Sequence, residues 1–430
     1  MNIYEWSKLD DKTKRKILRR AERDITQQME VAWEIINEVK EKGDQALCYY
    51  TEKFDQAKLS STSLKVTEEE IKDGYRRVSP EFRETLEFAA ANIRKFHLRQ
   101  MPQPFWFVET VPGVVVGEKT TPISDVAIYV PRGKGSFPSV LLMLAIPALV
   151  AGVQRVVVVT PPNPQGNLDE GVLAAAKVAG VKEMYKVGGV QAVAAVAYGT
   201  ETIPPCHKII GPGNSYVTAA KRLLSGVIDV GTPAGPSEGI ILADETADPR
   251  KVALDLMIEA EHGPDSAALL ITHVPDLISK VQEIIPQQLA KLSEKRKYFV
   301  TEVLKGYGGA ILTESLEQSI EVVNLYAPEH MEIMTEKPWE VLPKIKNAGE
   351  ILLGENAPIT LANFLLGPNA ILPTGGFAKT YSSVSVHDFL KRSSFGYVTK
   401  EGYELVKDKA VCFAREEGFE THARAILDRD

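Results

Sequence analysis

The 430-residue chain is expected to fold as an α/β protein with two doubly wound parallel-sheet regions, an N-terminal helical arm and a C-terminal helical tail. Three observations predict this. Short apolar runs ending in Gly or Pro alternate with helix-forming stretches from Val126 onward, and a second such pattern starts at Gly239. Both ends of the chain are polar and helical in texture.

Composition sets the outer limits. Apolar residues make up 44% and charged residues 25%, which suits a globular chain with room for two or three domains. The net charge of -7 and the lack of long basic runs argue against a nucleic-acid-binding role. Cys48, Cys206 and Cys412 stand far apart, so neither a disulfide framework nor a thiolate metal site is expected. The start, Met1 to Trp6, lacks a signal-peptide pattern, and the most apolar region, Val140 to Val153, is broken by Pro147 and too short to span a bilayer. A soluble, cytoplasmic protein without membrane or nucleic-acid partners is expected.

Taken in order, Lys12 to Arg23 is a basic segment read as a solvated face, and Val31, Ile35, Ile36 and Val39 mark a helix over Ile25 to Lys42. Another amphipathic helix covers Phe82 to Leu98. Val126 to Val130 reads as a buried strand ending in the Gly-rich loop Pro131 to Ser136; a helix from Ser139 to Ala151 and the strand Arg155 to Thr160 follow. Gly166 to Ala179 is helical, Glu183 to Val187 a strand, Val190 to Tyr198 helical, and Lys208 to Ile210 runs into Gly211-Pro-Gly-Asn214. Right-handed crossovers then place the loops after Val130, Val187 and Ile210 on one edge, a credible nucleotide site, although G-x-G-x-x-G is absent. In the second region, Gly239 to Ala243 and Ala267 to Thr272 read as strands around a helix; later come the strand Ala310 to Leu312, the helix Leu316 to Leu325 and the strand Glu350 to Leu353. The tail, Val386 to Asp430, is expected to be mainly helical.

Two places carry chemistry on their own. Glu259 and His262 stand three apart where Gly263-Pro264 must end a helix, so they share a face and could grip a divalent cation, most plausibly zinc. A solvated helix end with a dipole-matched His is the plainer alternative. Glu329 and His330, adjacent in a loop after Pro328, could supply bases for two proton transfers, or merely cap a helix.

Ordered motifs then point further. Gly188-Gly-Val-Gln191, Gly211-Pro-Gly-Asn214, Ala234-Gly-Pro-Ser-Glu238, Ala260-Glu-His-Gly-Pro-Asp-Ser266 and Leu325-Tyr-Ala-Pro-Glu-His-Met331 are very similar to histidinol dehydrogenases. Leu372-Pro-Thr374, Phe389 to Ser394 and Thr421-His422-Ala423 extend the resemblance over nearly the whole chain. It implies two Rossmann-like domains and two successive NAD-dependent oxidations, alcohol to aldehyde to carboxylate, on a substrate bound at zinc, with L-histidinol as the default substrate. It also implies His330 as the base for the hydroxyl proton and Glu329 as the base that activates water. Tyr129, Gln191 and Asn214 match NAD contacts; Glu259, His262, Asn363 and His422 match zinc ligands; and Ser237, Glu417 and His330 join those four ligands around the substrate. A homodimer is implied too, the tail reaching the partner's active site. The expected organisation is an arm (1–25), a discontinuous α/β catalytic and metal domain (26–128 and 238–385), an NAD-binding domain (129–237) and the tail (386–430).

Departures from the family pattern are informative. Glu259 stands for the usual Gln and Asn363 for the usual Asp, which conserves the charge of the ligand set, so the metal is expected to be kept. Ala370 replaces a pocket His, which leaves room for a related enzyme oxidising another small alcohol, such as a dihydroxypropanesulfonate. An inactive metal- or metabolite-binding relative is a third reading. Arg132 and Lys134 add cations to the loop after Tyr129, suited to NAD phosphates.

Overall fold

The computed structural model describes residues 1–20, 25–132, 135–233 and 235–429. Its strands, in chain order, are β1 (Ile3–Glu5), β2 (Phe105–Val111), β3 (Val114–Pro122), β4 (Asp125–Tyr129), β5 (Arg155–Thr160), β6 (Glu183–Lys186) and β7 (Lys208–Ile210). They continue as β8 (Glu238–Ala243), β9 (Ala267–Thr272), β10 (Gly309–Leu312), β11 (His330–Met334), β12 (Glu350–Leu353) and β13 (Leu390–Val398). The chain divides into one compact unit of Met1–Gln100 and Ser124–Phe389, and another of Met101–Ile123 with the chain from Leu390 onward.

The first unit holds two parallel sheets, both wound on two faces. One runs β6-β5-β4-β7. Ala127, Tyr129, Val157 and Val159 face the helices Thr26–Lys42, Asp44–Asp55, Gly189–Tyr198 and Ser215–Leu224, while the helix Pro138–Ala151 also packs on β4 and β5. The other runs β1-β10-β9-β8-β11-β12. Ile241, Ala243, Ala268 and Leu270 pack under the helices Pro249–Ala260, Pro275–Leu289 and Glu294–Lys305, and Ile240, Leu242, Met331 and Ile333 under Leu316–Tyr326. Burial on both faces explains the continuous apolar runs of these strands.

Three segments differ from the sequence reading. The N-terminal arm opens with β1, a parallel edge strand beside β10, before its helix Asp11–Arg19. The helices from 26 to 55 pack on the first sheet, not the second. The tail is not all helical: β13 pairs antiparallel with β3, which pairs with β2, and only then come the helices Lys400–Glu416 and Glu420–Leu427. These strands escape notice because they lack a buried face; Phe105, Phe107 and Tyr397 are exposed. No helix among the described residues is long and apolar enough to cross a membrane.

Candidate active site

In the second sheet the strand order reverses between β8 and β11, since β9 and β10 extend one way and β12 the other. Ligands usually sit at the carboxyl ends of strands at such a point. Here the reactive side chains gather at the amino ends. The helix Pro249–Ala260, capped by Asp248 and opened by Pro249, runs back from the carboxyl edge and delivers Glu259 in its last turn. On the other approach, Ala327 takes a left-handed conformation (φ 55°) and Pro328 follows, turning the chain into β11. Glu329 therefore precedes the strand and His330 opens it, so the pair lies in neither a free loop nor a helix cap.

Register completes the arrangement. His330 is flanked by Gly239 on β8 and by Glu350 on β12. A Cβ at Gly239 would crowd the Glu259 side chain at 3.2 Å, so the glycine gives that carboxylate its seat. Donor atoms of Glu259, Glu329 and His330 all lie within 4.8 Å of one another, and all three residues are buried. His330 Nδ1 lies 2.9 Å from Glu350 Oε2, and its Nε2 lies 4.0 Å from Glu329 Oε1. Burial alone would push this imidazole down; the Glu350 hydrogen bond and the carboxylates of Glu259 and Glu329 outweigh it and lift the pKa to about 9. Burial also raises Glu329 well above the usual carboxylate range against the opposing His330, with Glu259 and Glu238 adding to the rise.

A buried cation fixes Glu329 from behind. Arg20 stacks on the Tyr326 ring at 3.6 Å, donates to the Tyr326 and Ala327 carbonyls at 2.6 and 3.1 Å, and pairs with Glu238 at 3.0 Å. The Glu238 amide in turn donates to Glu329 Oε2 at 2.8 Å. Arg20 thus belongs to the core and not to a solvated basic face, as the sequence alone suggests. Arg20→Met is expected to strand Glu238 without its counter-charge, lowering stability by about 3 kcal/mol, the scale of a broken buried pair. The denaturant midpoint measures this, and an unchanged midpoint would refute it.

The expected metal ligands are placed unequally. Asn363 Nδ2 lies 3.3 Å from Glu259 Oε1, and His262, in the turn just past the helix, has Nδ1 3.3 Å from Glu259 Oε2. That Nδ1 is buried without a hydrogen-bond partner. Four buried carboxylates (Glu238, Glu259, Glu329, Glu350) also outnumber their cations, Arg20 and His330. An orphaned imidazole nitrogen beside surplus negative charge suits a divalent cation. Ser237 directly precedes β8, its carbonyl accepting from Ala267 N at 2.9 Å. Glu417 and His422 belong to the second compact unit and are exposed, His422 lying against Phe419.

At the first sheet, Tyr129 ends β4 and accepts from Gly189 N at 3.0 Å. Gln191 is fully buried near the start of its helix, yet neither its Oε1 nor its Nε2 has a partner. A Cβ at Gly189 (φ 63°) would press on that amide at 2.7 Å, so glycine keeps the spot open. An unsatisfied buried amide beside glycine turns fits a polar ligand such as a dinucleotide. Asn214 Oδ1 is committed to capping its helix, bonding Tyr216 and Val217 amides at 3.1 Å each. Arg132 donates to the Pro162 carbonyl at 2.9 Å, and Lys134 lies outside the described residues. Sequence reading missed Arg20, Glu238 and Glu350; the one available signal was a carboxylate opening each of two apolar strands.

Parallel sheets with an open amide at one carboxyl edge, together with a buried imidazole–carboxylate cluster, suit an α/β oxidoreductase. Residues 18–429 match the family model described as histidinol dehydrogenase. The chain is 50% identical over 428 residues to the histidinol dehydrogenase of Synechocystis sp., spanning 100% of this chain and 99% of that one. It is 49% identical over 427 residues to a histidinol dehydrogenase homolog of Rhizobium meliloti, spanning 99% and 94%. The crystal structure of histidinol dehydrogenase from Elizabethkingia anophelis superposes with a TM-score of 0.94 at 35% identity, covering 100% of this chain and 97% of that one. The chain belongs to the histidinol dehydrogenase family and is an NAD-dependent oxidoreductase of that type.

Proposed function

We propose that the protein oxidises L-histidinol through the aldehyde to L-histidine in the cytoplasm, as a homodimer that uses NAD and zinc. The observation that carries this reading is the buried cluster in which one imidazole meets two carboxylates within 4.8 Å. Zinc would be held by Glu259, His262 and Asn363, with His422 of the partner subunit as the fourth ligand; when bound, zinc polarises the substrate oxygen and NAD accepts hydride. In its neutral form, which the raised pKa of about 9 favours at alkaline pH, His330 takes the hydroxyl proton at Nε2, its Nδ1 being turned to Glu350. Glu329 takes a proton from the water that attacks the aldehyde, its other oxygen being held by the Glu238 amide. Ser237 and the partner's Glu417 would orient the substrate. Tyr129, Gln191 and Asn214 would line the dinucleotide, with Arg132 toward its phosphates.

Two observations support a homodimer. Phe105, Phe107, Tyr397 and Phe413 leave large apolar surface exposed on the second unit, at 52%, 60%, 64% and 72%. Glu417 and His422, which the family resemblance assigns to the substrate and metal site, stand exposed on that same unit, open to another chain. The test is NADH formation from L-histidinol by the zinc-loaded protein, alongside a panel of diols that includes a dihydroxypropanesulfonate. Turnover of L-histidinol that a chelator abolishes and zinc restores is expected. Turnover of the sulfonated diol alone, or indifference to the chelator, would overturn the reading.

A further inference from the structure

Glu350 stands out among the buried carboxylates because no proton transfer above requires it. It opens β12, with its Cα in register with His330 on the neighbouring strand. Its side chain is 7% exposed and that of His330 3%. Its Oε2 lies 2.9 Å from His330 Nδ1, while Oε1 is buried without a hydrogen-bond partner. The backbone joins in: Glu350 N donates to the Glu329 carbonyl at 2.9 Å, and Gly349 N to that of Pro328 at 2.9 Å. One short segment thus holds both the chain on either side of Glu329 and the ring of His330.

A carboxylate is a costly residue to bury at the start of an apolar strand, and an alanine or serine would meet the strand's own needs. What the carboxylate adds is specific to the imidazole. A neutral imidazole carries its proton on one nitrogen, and the partner of that nitrogen decides which. An acceptor with no proton of its own at Nδ1 leaves the lone pair on Nε2, the nitrogen 4.0 Å from Glu329 Oε1. It also stabilises the imidazolium formed once Nε2 has taken a proton.

We infer that Glu350 is a positioning residue for alcohol oxidation, holding His330 with Nδ1–H toward β12 and Nε2 free toward the substrate. This rests on the reading of His330 as the base for the hydroxyl proton.

The experiment uses the full-length, zinc-loaded protein with NAD, and measures turnover from L-histidinol and, separately, from L-histidinal. In Glu350→Gln the size is kept but the amide can offer its own protons to Nδ1, favouring the wrong tautomer. Its kcat from the alcohol is expected to fall about a hundredfold or more, with KM for alcohol and NAD within about threefold of the parent. Turnover from the aldehyde should stay within about threefold, since that step draws on Glu329. Glu350→Asp, which keeps the charge but falls short of the ring, should show a smaller loss confined to the same step. Should Glu350→Gln not fold, Glu350→Asp decides alone. A parent-like alcohol rate in the variants, beside a slow His330→Asn, overturns the role of Glu350 while leaving that of His330 intact. Equal losses in both steps with a raised KM for NAD also overturn it, because they mark a merely structural residue. A parent-like alcohol rate in His330→Asn refutes the underlying reading of His330.

Discussion

His330→Asn is expected to slow alcohol oxidation by about a hundredfold or more, the range a general base contributes, whereas Glu329→Gln should spare that step and slow aldehyde conversion by a similar factor. The split follows from placement. The Nδ1 of His330 is held by Glu350 at 2.9 Å, which leaves Nε2 for the hydroxyl proton. Glu329 hangs from the Glu238 amide through Oε2 at 2.8 Å, leaving Oε1 toward the cluster. A Gln at 329 keeps an oxygen to accept that amide proton, so the loss should be chemical and not architectural. Single-turnover kinetics started from alcohol and from aldehyde separate the two steps. Wild-type rates in both variants, or equal losses in both steps, would refute the assignment.

The sequence makes the strands of the two parallel sheets legible because burial on both faces leaves only apolar residues between their ends: Asp125–Tyr129, Arg155–Thr160 and Ala267–Thr272 read as runs and fold as runs. The hairpin Phe105–Pro122 and the strand Leu390–Val398 are hidden for the opposite reason, since mostly exposed strands show no dependable alternation. Glu259 and His262 could be read as neighbours from helical spacing alone, and they lie 3.3 Å apart. Nothing in spacing could place Glu350 beside His330, because that contact exists only through the register of β11 against β12. Arg20 was hidden by its company. It sits in a run of lysines and arginines, yet among the described residues of that run it alone inserts against Tyr326 and Glu238.

Mixing two inactive proteins should restore activity if the tail completes the partner's site. His422→Ala removes the proposed ligand on the helix Glu420–Leu427, and His330→Asn removes the base in the other compact unit. When the two are unfolded and refolded together, each heterodimer carries both lesions in one site and neither in the other. Random pairing makes about half the dimers mixed, so roughly a quarter of the parental activity should return. Zinc content should follow: near zero for His422→Ala alone, and about one ion per intact set of four ligands in the mixture. A mixture that stays inactive would mean that the tail serves its own subunit.

The most direct test of a two-step oxidation at one buried cluster is stoichiometry. With limiting L-histidinol, excess NAD and zinc, NADH is counted by absorbance while L-histidine is assayed chemically. Two NADH for each L-histidine formed, with no free aldehyde accumulating, is the expected result. One NADH per alcohol with aldehyde released, or no L-histidine at all, would contradict it.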